Sequence, residues 1–142
     1  MEIICRNEKD TAKFAKKFAK TLNGGEIILL VGDLGAGKTT FTKSVAKHLK
    51  IKEHITSPTF TIVNEYHSGR LVLYHFDMYR IEDESEAMEL GFDEYFSGNA
   101  VCMIEWPQRV QNLLPKKYIE VNIEKLDETS RKFTISYVNK EK

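Results

Sequence analysis

Apolar positions in this chain of 142 residues switch repeatedly between a strand-like and a helical period. Met1 to Cys5 reads as a short strand. From Glu8 to Leu22 the spacing is helical: Thr11, Phe14, Ala15, Phe18, Ala19 and Leu22 share one face, and Lys13, Lys16, Lys17 and Lys20 lie towards the other. Asn7 is the predicted N-cap, and Asp10 three residues on gives a pattern resembling a capping box. Gly24-Gly25 ends this helix. Glu26 to Val31 is an apolar run of strand length, and Thr40 to Leu49 carries Phe41, Val45 and Leu49 at helical spacing. Thr61 to Tyr66 and Arg70 to Phe76 are strand-like about the turn His67-Ser68-Gly69, which predicts a hairpin. Glu82 to Leu90 is acidic and helical, with Gly91 as its stop. Ala100 to Ile104 is continuously apolar, the pattern of a strand buried on both faces. Pro107 opens a short helix reaching Leu114, and Tyr118 to Ile123 and Lys132 to Val138 are two more strands.

Strands and helices in this order predict an α/β fold of three layers with a mixed, mostly parallel central sheet that contains a β-hairpin. The length suggests one domain, residues 1–142. Lysine plus arginine and aspartate plus glutamate balance at 21 each, which argues against a large basic nucleic-acid surface. It leaves room for a local patch, or for a nucleic acid gripped by a partner. The lysines of the first helix then read as a solvated face. Cys5 and Cys102 sit in apolar strand runs without metal-ligand spacing and read as buried thiols. No stretch has the length of a signal peptide or a membrane span. Together with the nucleotide chemistry below, this predicts a cytoplasmic protein with no membrane partner.

That chemistry begins at Gly32-Asp33-Leu34-Gly35-Ala36-Gly37-Lys38-Thr39, which fits G-x-x-x-x-G-K-[ST] at every fixed position and lies between a predicted strand and a predicted helix. Such a loop wraps backbone N–H groups around phosphates at a helix N-terminus, here with Asp33, Gly35, Ala36, Gly37, Lys38, Thr39 and Thr40 as the cofactor-binding set. Lys38 would reach the β- and γ-phosphates, and Thr39 would offer a hydroxyl to Mg²⁺. The fold class becomes a P-loop NTPase.

A carboxylate at the end of a neighbouring strand should join the metal. Glu105 follows the buried run at 100–104, and Asp77 follows the second hairpin strand. Ligands gather beyond the carboxyl ends of strands in open α/β sheets, so both acids could stand near the phosphates. One would bind the metal and the other orient the attacking water. Ser57, Pro58, Thr59 and Phe60 are placed like a loop that senses a γ-phosphate. Trp106, beside Glu105, reads as a core residue, a nucleotide-side aromatic or a partner anchor. Arg80 is close enough in sequence to reach phosphate or to pair with Asp77, and Arg109 and Arg131 are further phosphate candidates. The histidines show no catalytic or metal spacing, and His75 reads as structural.

A GTPase should carry N-K-x-D and D-x-x-G; neither is present, so ATP is the predicted nucleotide. A small-molecule kinase would need a substrate pocket and an arginine-bearing lid, and five arginines leave little for both. A non-hydrolysing, nucleotide-sensing switch module is the other alternative.

The ordered segments Gly-Asp-Leu-Gly-Ala-Gly-Lys-Thr-Thr (32–40), Ser-Pro-Thr-Phe-Thr (57–61), His-Phe-Asp-Met-Tyr-Arg (75–80), Leu-Gly-Phe-Asp-Glu-Tyr-Phe (90–96), Glu-Trp-Pro (105–107) and Leu-Pro (114–115) resemble the TsaE (YjeE) family. This is the ATPase of bacterial tRNA threonylcarbamoyladenosine biosynthesis. The resemblance implies an accessory ATPase that uses ATP and Mg²⁺ and resets a TsaD/TsaB-type complex. That complex threonylcarbamoylates adenosine 37 of ANN-decoding tRNAs, so tRNA is met through partners. It also implies that Lys38 contacts phosphate, that Thr39 and Glu105 hold Mg²⁺, and that Asp77 is a second active-site acid. Ser57 to Phe60 form the switch-like loop, Trp106 is the family tryptophan, and Thr11 lies near the nucleotide. Arg131 falls near another nucleotide-side position. Met78 stands where the family usually has leucine, and the end of the chain diverges. No arginine finger is evident in cis, so weak turnover without partners is expected.

Overall fold

The computed structural model describes residues 1–33, 35–58 and 62–141. The first helix, α1 (Glu8–Lys20), follows strand β1 (Glu2–Cys5) and starts as its sequence dictates. The Asn7 side chain accepts from the Asp10 amide at 2.9 Å. Asp10 answers by accepting from the Arg6 amide at 3.0 Å, one residue outside the cap. At the other end, the Arg70 guanidinium donates to the Ala19 and Leu22 carbonyls at 2.6 and 3.1 Å. The Ala19 carbonyl also accepts from the Leu22 amide at 3.1 Å, so the guanidinium reinforces the last turn of the helix and takes the Leu22 carbonyl just beyond it. That task, with the Arg70 amide bonded to Leu49, holds Arg70 outside the hairpin strand that the sequence pattern has it open.

Strand β2 (Ile27–Val31) leads through the glycine-rich loop into α2 (Lys38–His48), which begins two residues before the pattern suggests. The hairpin is β3 (Val63–Tyr66) and β4 (Leu73–Asp77), antiparallel as predicted. A short α3 (Glu84–Glu89) ends at Gly91, whose φ of 71° is the left-handed stop. A 3₁₀ turn over Phe92–Ser97, for which the sequence shows no helical period, precedes β5 (Val101–Glu105). Pro107–Leu113 is also 3₁₀ rather than α, broken at Val110. Strands β6 (Lys117–Lys125) and β7 (Arg131–Asn139) complete the chain.

Among the described residues seven strands form one sheet in the order β1-β7-β6-β2-β5-β4-β3. β6, β2, β5 and β4 are mutually parallel; β3 and β7 run against them. Alternation along the central strands feeds two cores. Ile28, Leu30, Val101 and Met103 face α1 and α2, among Phe14, Phe18, Phe41 and Phe133. Ile27, Leu29, Cys102 and Ile104 face the other layer, with Phe76, Ile81, Ala87 and Phe92. This is the three-layer arrangement expected of two-sided apolar strands. The second layer thins beyond β2: Tyr118 of β6 still packs against it, while on that face Asn122, Glu124 and Ser136 of β6 and β7 are exposed. Cys5 and Cys102 are free and buried. No helix among the described residues is long and apolar enough to cross a membrane.

Candidate nucleotide site

The parallel strands deliver their carboxyl ends to one edge. Register sets Glu105 level with Leu30 of β2 on one side and Asp77 of β4 on the other. Both acids therefore stand beside the point where β2 enters the glycine-rich loop, which is where an open α/β sheet binds ligands.

The loop itself is shaped by backbone demands. Gly35 and Gly37 have φ of 80° and 105°, a region that favours glycine. A Cβ on Gly32 would stand 2.6 Å from the Ile123 carbonyl oxygen, so the loop can start this close to β6 only without a side chain. Gly37 is the N-cap of α2 and makes no side-chain cap bond. The first amides of α2 thus lack a side-chain acceptor, the condition in which a helix start receives anions. Ala36 is buried, while Asp33, Gly35 and Thr40 are exposed along the rim.

Lys38 turns back over this loop. The residue is 5% exposed, and its Nζ donates to the Gly32 carbonyl at 2.8 Å and lies 3.7 Å from the centre of the Trp106 ring. Burial pushes its pKa below the ordinary lysine value, against the pull of Glu105, Asp77 and Asp33. Beside it, the Thr39 hydroxyl meets the Ser57 hydroxyl at 2.9 Å and donates to Glu105 Oε2 at 3.3 Å. Glu105 Oε2 also receives His75 Nε2 at 2.6 Å, and His75 is fully buried. Asp77 is half-buried, and its Oδ1 accepts from the Tyr79 amide at 3.0 Å. Burial raises its carboxyl pKa, and the neighbouring Glu105 charge adds to the rise.

These groups suit a hard cation and phosphates. Hydroxyl and carboxylate oxygens are the donors Mg²⁺ takes, usually completed by substrate phosphates and water. Among the described residues no three or more His, Cys, Asp or Glu side chains gather into a protein-only cage. Thr39 and Glu105 are the residues that could hold it.

A cleft of about 560 Å³ opens on the other side of the loop. It is lined by Ala36, Gly37 and Thr40 of the loop and α2, Thr11 of α1, and Glu128 and Arg131 near the β6–β7 turn. Arg131 Nε donates to the Ala36 carbonyl at 2.9 Å, and its Nη1 donates to the Asp127 and Ser130 carbonyls, each at 3.0 Å. Thr11 is buried and donates to the Asn7 carbonyl at 3.4 Å. Residues distant in sequence thus meet at one phosphate loop. A cleft of about 600 Å³ at the opposite sheet edge, near Arg70, Tyr95 and Asn99, has none of these acids or the loop, so size alone does not select the site.

The remaining candidates divide. Ser57 reaches Thr39, and Pro58 is buried; Thr59 and Phe60 lie outside the described residues. Trp106 is the N-cap of the Pro107–Leu113 turn at φ 58° and packs on the core beneath while its ring meets Lys38 and, at 4.9 Å, Tyr79. Arg80 is exposed, and among the described residues no ion pair joins it to Asp77, so the pairing that adjacency suggests does not form. Arg109 is exposed, its guanidinium 5.8 Å from the Tyr79 ring. His75, structural by its sequence context, is bonded to a site carboxylate. The available signal is its two-residue spacing from Asp77, which puts both on one face of β4.

The family model described as threonylcarbamoyl adenosine biosynthesis protein TsaE matches residues 5–133. The tRNA threonylcarbamoyladenosine biosynthesis protein TsaE of Bacillus subtilis is 46% identical over 132 residues, covering 93% of this chain and 82% of that protein. The protein of the same name from Treponema pallidum is 39% identical over 136 residues, covering 96% of this chain and 100% of that one. The crystal structure of Bacillus subtilis YdiB matches with a TM-score of 0.84 at 37% identity, over 98% of this chain and 86% of that one. The matched residues 5–133 include the loop, both strand-end acids and the β6–β7 turn, and the chain belongs to the TsaE family.

Proposed function

We propose that this chain is an accessory ATPase for threonylcarbamoylation of adenosine 37 in ANN-decoding tRNAs, turning over Mg-ATP while it resets a TsaD/TsaB-type complex. The observation that carries the reading is the convergence of Lys38, Thr39, Ser57 and Glu105 at the mouth of the loop. The relatives' names, which concern tRNA threonylcarbamoyladenosine biosynthesis, support the pathway. The balance of 21 basic and 21 acidic residues suits a protein that meets tRNA through partners.

In this reading the triphosphate lies along the loop amides of residues 33 and 35–40, with the nucleoside towards Thr11 and Arg131. Lys38 leaves the Gly32 carbonyl for a phosphate oxygen. Thr39 and Glu105 would hold Mg²⁺, which would supply charge to neutralise the phosphates when bound. Asp77, whose raised pKa favours proton acceptance, orients a water and takes its proton at a carboxylate oxygen as that water attacks. Ser57, bonded to Thr39, would sense the state of the site.

Phosphate release from ATP and from GTP, measured with and without the partner complex, tests the proposal. Slow ATP hydrolysis alone that rises with the complex is expected. An equal rate without partners would refute the coupling. Transfer of the γ-phosphate to a small acceptor would make the chain a kinase. Binding with no phosphate released, even with the complex, would make it a switch module.

A further inference from the structure

His75 is a fully buried histidine in β4, an inner strand of the sheet, and nothing in the nucleotide chemistry above uses it. Its Nε2 lies 2.6 Å from Glu105 Oε2. An ionised carboxylate only accepts, so Nε2 carries the proton of this bond. The other ring nitrogen, Nδ1, is buried and has no hydrogen-bond partner among the described residues. A buried polar atom left unpaired is costly, so the ring is retained here for the bond it makes on its other side. That bond acts on one particular oxygen. Glu105 Oε2 takes both His75 and the Thr39 hydroxyl, while Oε1 has no hydrogen-bond partner among the described residues. A carboxylate fixed at one oxygen has a defined direction for the other. Glu105 ends β5 and is followed by Trp106 in a left-handed conformation, so backbone pairing stops where aiming is needed.

We infer that His75 is the positioning residue of the site: its Nε2–H pins Glu105 Oε2 and thereby aims the free carboxylate oxygen and the Thr39 hydroxyl at a divalent cation bound with the nucleotide. The inference rests on the Mg-nucleotide reading above. Partners behind a ligating side chain commonly govern metal affinity or activity by roughly ten- to a hundredfold. His75 would do so without touching nucleotide, cation or water.

The test compares His75→Leu, which fills similar space without a donor, with His75→Gln, whose amide nitrogen extends to about the place of Nε2. The readout is ADP affinity by equilibrium titration at a series of Mg²⁺ concentrations, and in excess chelator, for each protein. His75→Leu should need roughly ten- to a hundredfold more Mg²⁺ for its half-maximal gain in affinity. Its affinity in chelator should stay at the wild-type value, and His75→Gln should recover most of the Mg²⁺ response. A purely structural histidine would instead move the chelator value and the melting temperature while leaving the Mg²⁺ midpoint alone. Imidazole ¹⁵N spectra of the metal-free wild type, assigned by the resonance lost in His75→Gln, should show a slowly exchanging Nε2–H tautomer.

An unchanged Mg²⁺ midpoint in His75→Leu overturns the inference. If His75→Leu does not fold, His75→Asn, too short to reach Glu105, replaces it against His75→Gln, and equal midpoints in that pair overturn it as well. Wild-type affinity that ignores Mg²⁺ would overturn the Mg-nucleotide reading itself, and the wild type alone reveals that.

Discussion

Lys38 Nζ is held between two neutral groups, the Gly32 carbonyl at 2.8 Å and the Trp106 ring at 3.7 Å from its centre. No ion pair within 4.0 Å ties it to Glu105, Asp77 or Asp33 among the described residues, although all three attract it. A buried ammonium satisfied by dipoles and a π-face is held more weakly than one paired with a carboxylate. Lys38→Met should therefore leave the melting temperature near the wild-type value while removing a charge-assisted phosphate contact. Such a contact is worth about 2–3 kcal/mol, or roughly a 30- to 150-fold loss of ATP affinity by titration. A collapse in stability with affinity preserved would make Lys38 a structural tether instead.

Arg131 ties the β6–β7 turn to the phosphate loop through three carbonyls at once. A lysine carries the charge but not the planar fork that reaches Ala36, Asp127 and Ser130 together. Arg131→Lys should consequently lose nearly as much as Arg131→Ala, about 1–2 kcal/mol of stability in denaturant unfolding. Both should also weaken ATP binding. A lysine variant indistinguishable from wild type would show that charge alone matters there.

The chain's central machinery is legible because it is local. Gly32 to Thr39 between two patterned segments identifies loop, strand and helix together, and the apolar run before Glu105 announces a strand buried on both faces. What stays hidden depends on register. Nothing in the sequence states that Asp77 and Glu105 lie side by side across parallel strands, or that Arg131 returns to Ala36 from the far end of the chain. His75 escapes notice because its two-residue spacing from Asp77 gains meaning only once the strand that carries Glu105 is known to lie beside β4. The Phe92–Ser97 turn escapes it because three-residue periodicity over six residues gives too little pattern, although its aromatic side chains build the lower core.

The thiols offer a check on the core that is independent of nucleotide. Burial raises both, Cys102 to about 12 and Cys5 in the same direction. The thiolate is the reactive form. Neither cysteine should be alkylated at pH 8 in the native protein, and both should react in denaturant. Rapid native labelling of Cys102 would contradict its place between β4 and β2.

Glu105→Gln keeps the size of the side chain and an oxygen that can accept from His75, but removes the charge facing the cation. Hydrolysis should fall at least about a hundredfold, and the Mg²⁺ needed for nucleotide binding should rise in parallel. An unchanged rate would take Glu105 out of the site.

Asp77 should behave oppositely in two respects. Its carboxyl sits above the ordinary value of 3.8 chiefly because it is half-buried, with the Glu105 charge adding to the shift. The unfolded chain releases this proton near the ordinary value, while the folded chain keeps it to higher pH. Within that window the native state binds more protons than the unfolded state, so stability falls as pH rises. Above the window a constant penalty remains. An asparagine at this position would carry no charge at any pH, and its side-chain oxygen could still accept from the Tyr79 amide. In chelator and without nucleotide, Asp77→Asn should thus melt higher than wild type at neutral pH. The gain should shrink on acidification and vanish below the ordinary aspartate value. If Asp77 takes the proton of the attacking water, the same substitution should cut hydrolysis by about 10²–10⁴-fold and leave Mg²⁺-dependent nucleotide affinity intact. Higher stability with lost turnover separates Asp77 from Glu105, whose replacement should lose cation response and turnover together. An Asp77→Asn variant that melts lower at neutral pH would show that the charged form is favoured by the fold, and would remove the basis for assigning it the proton.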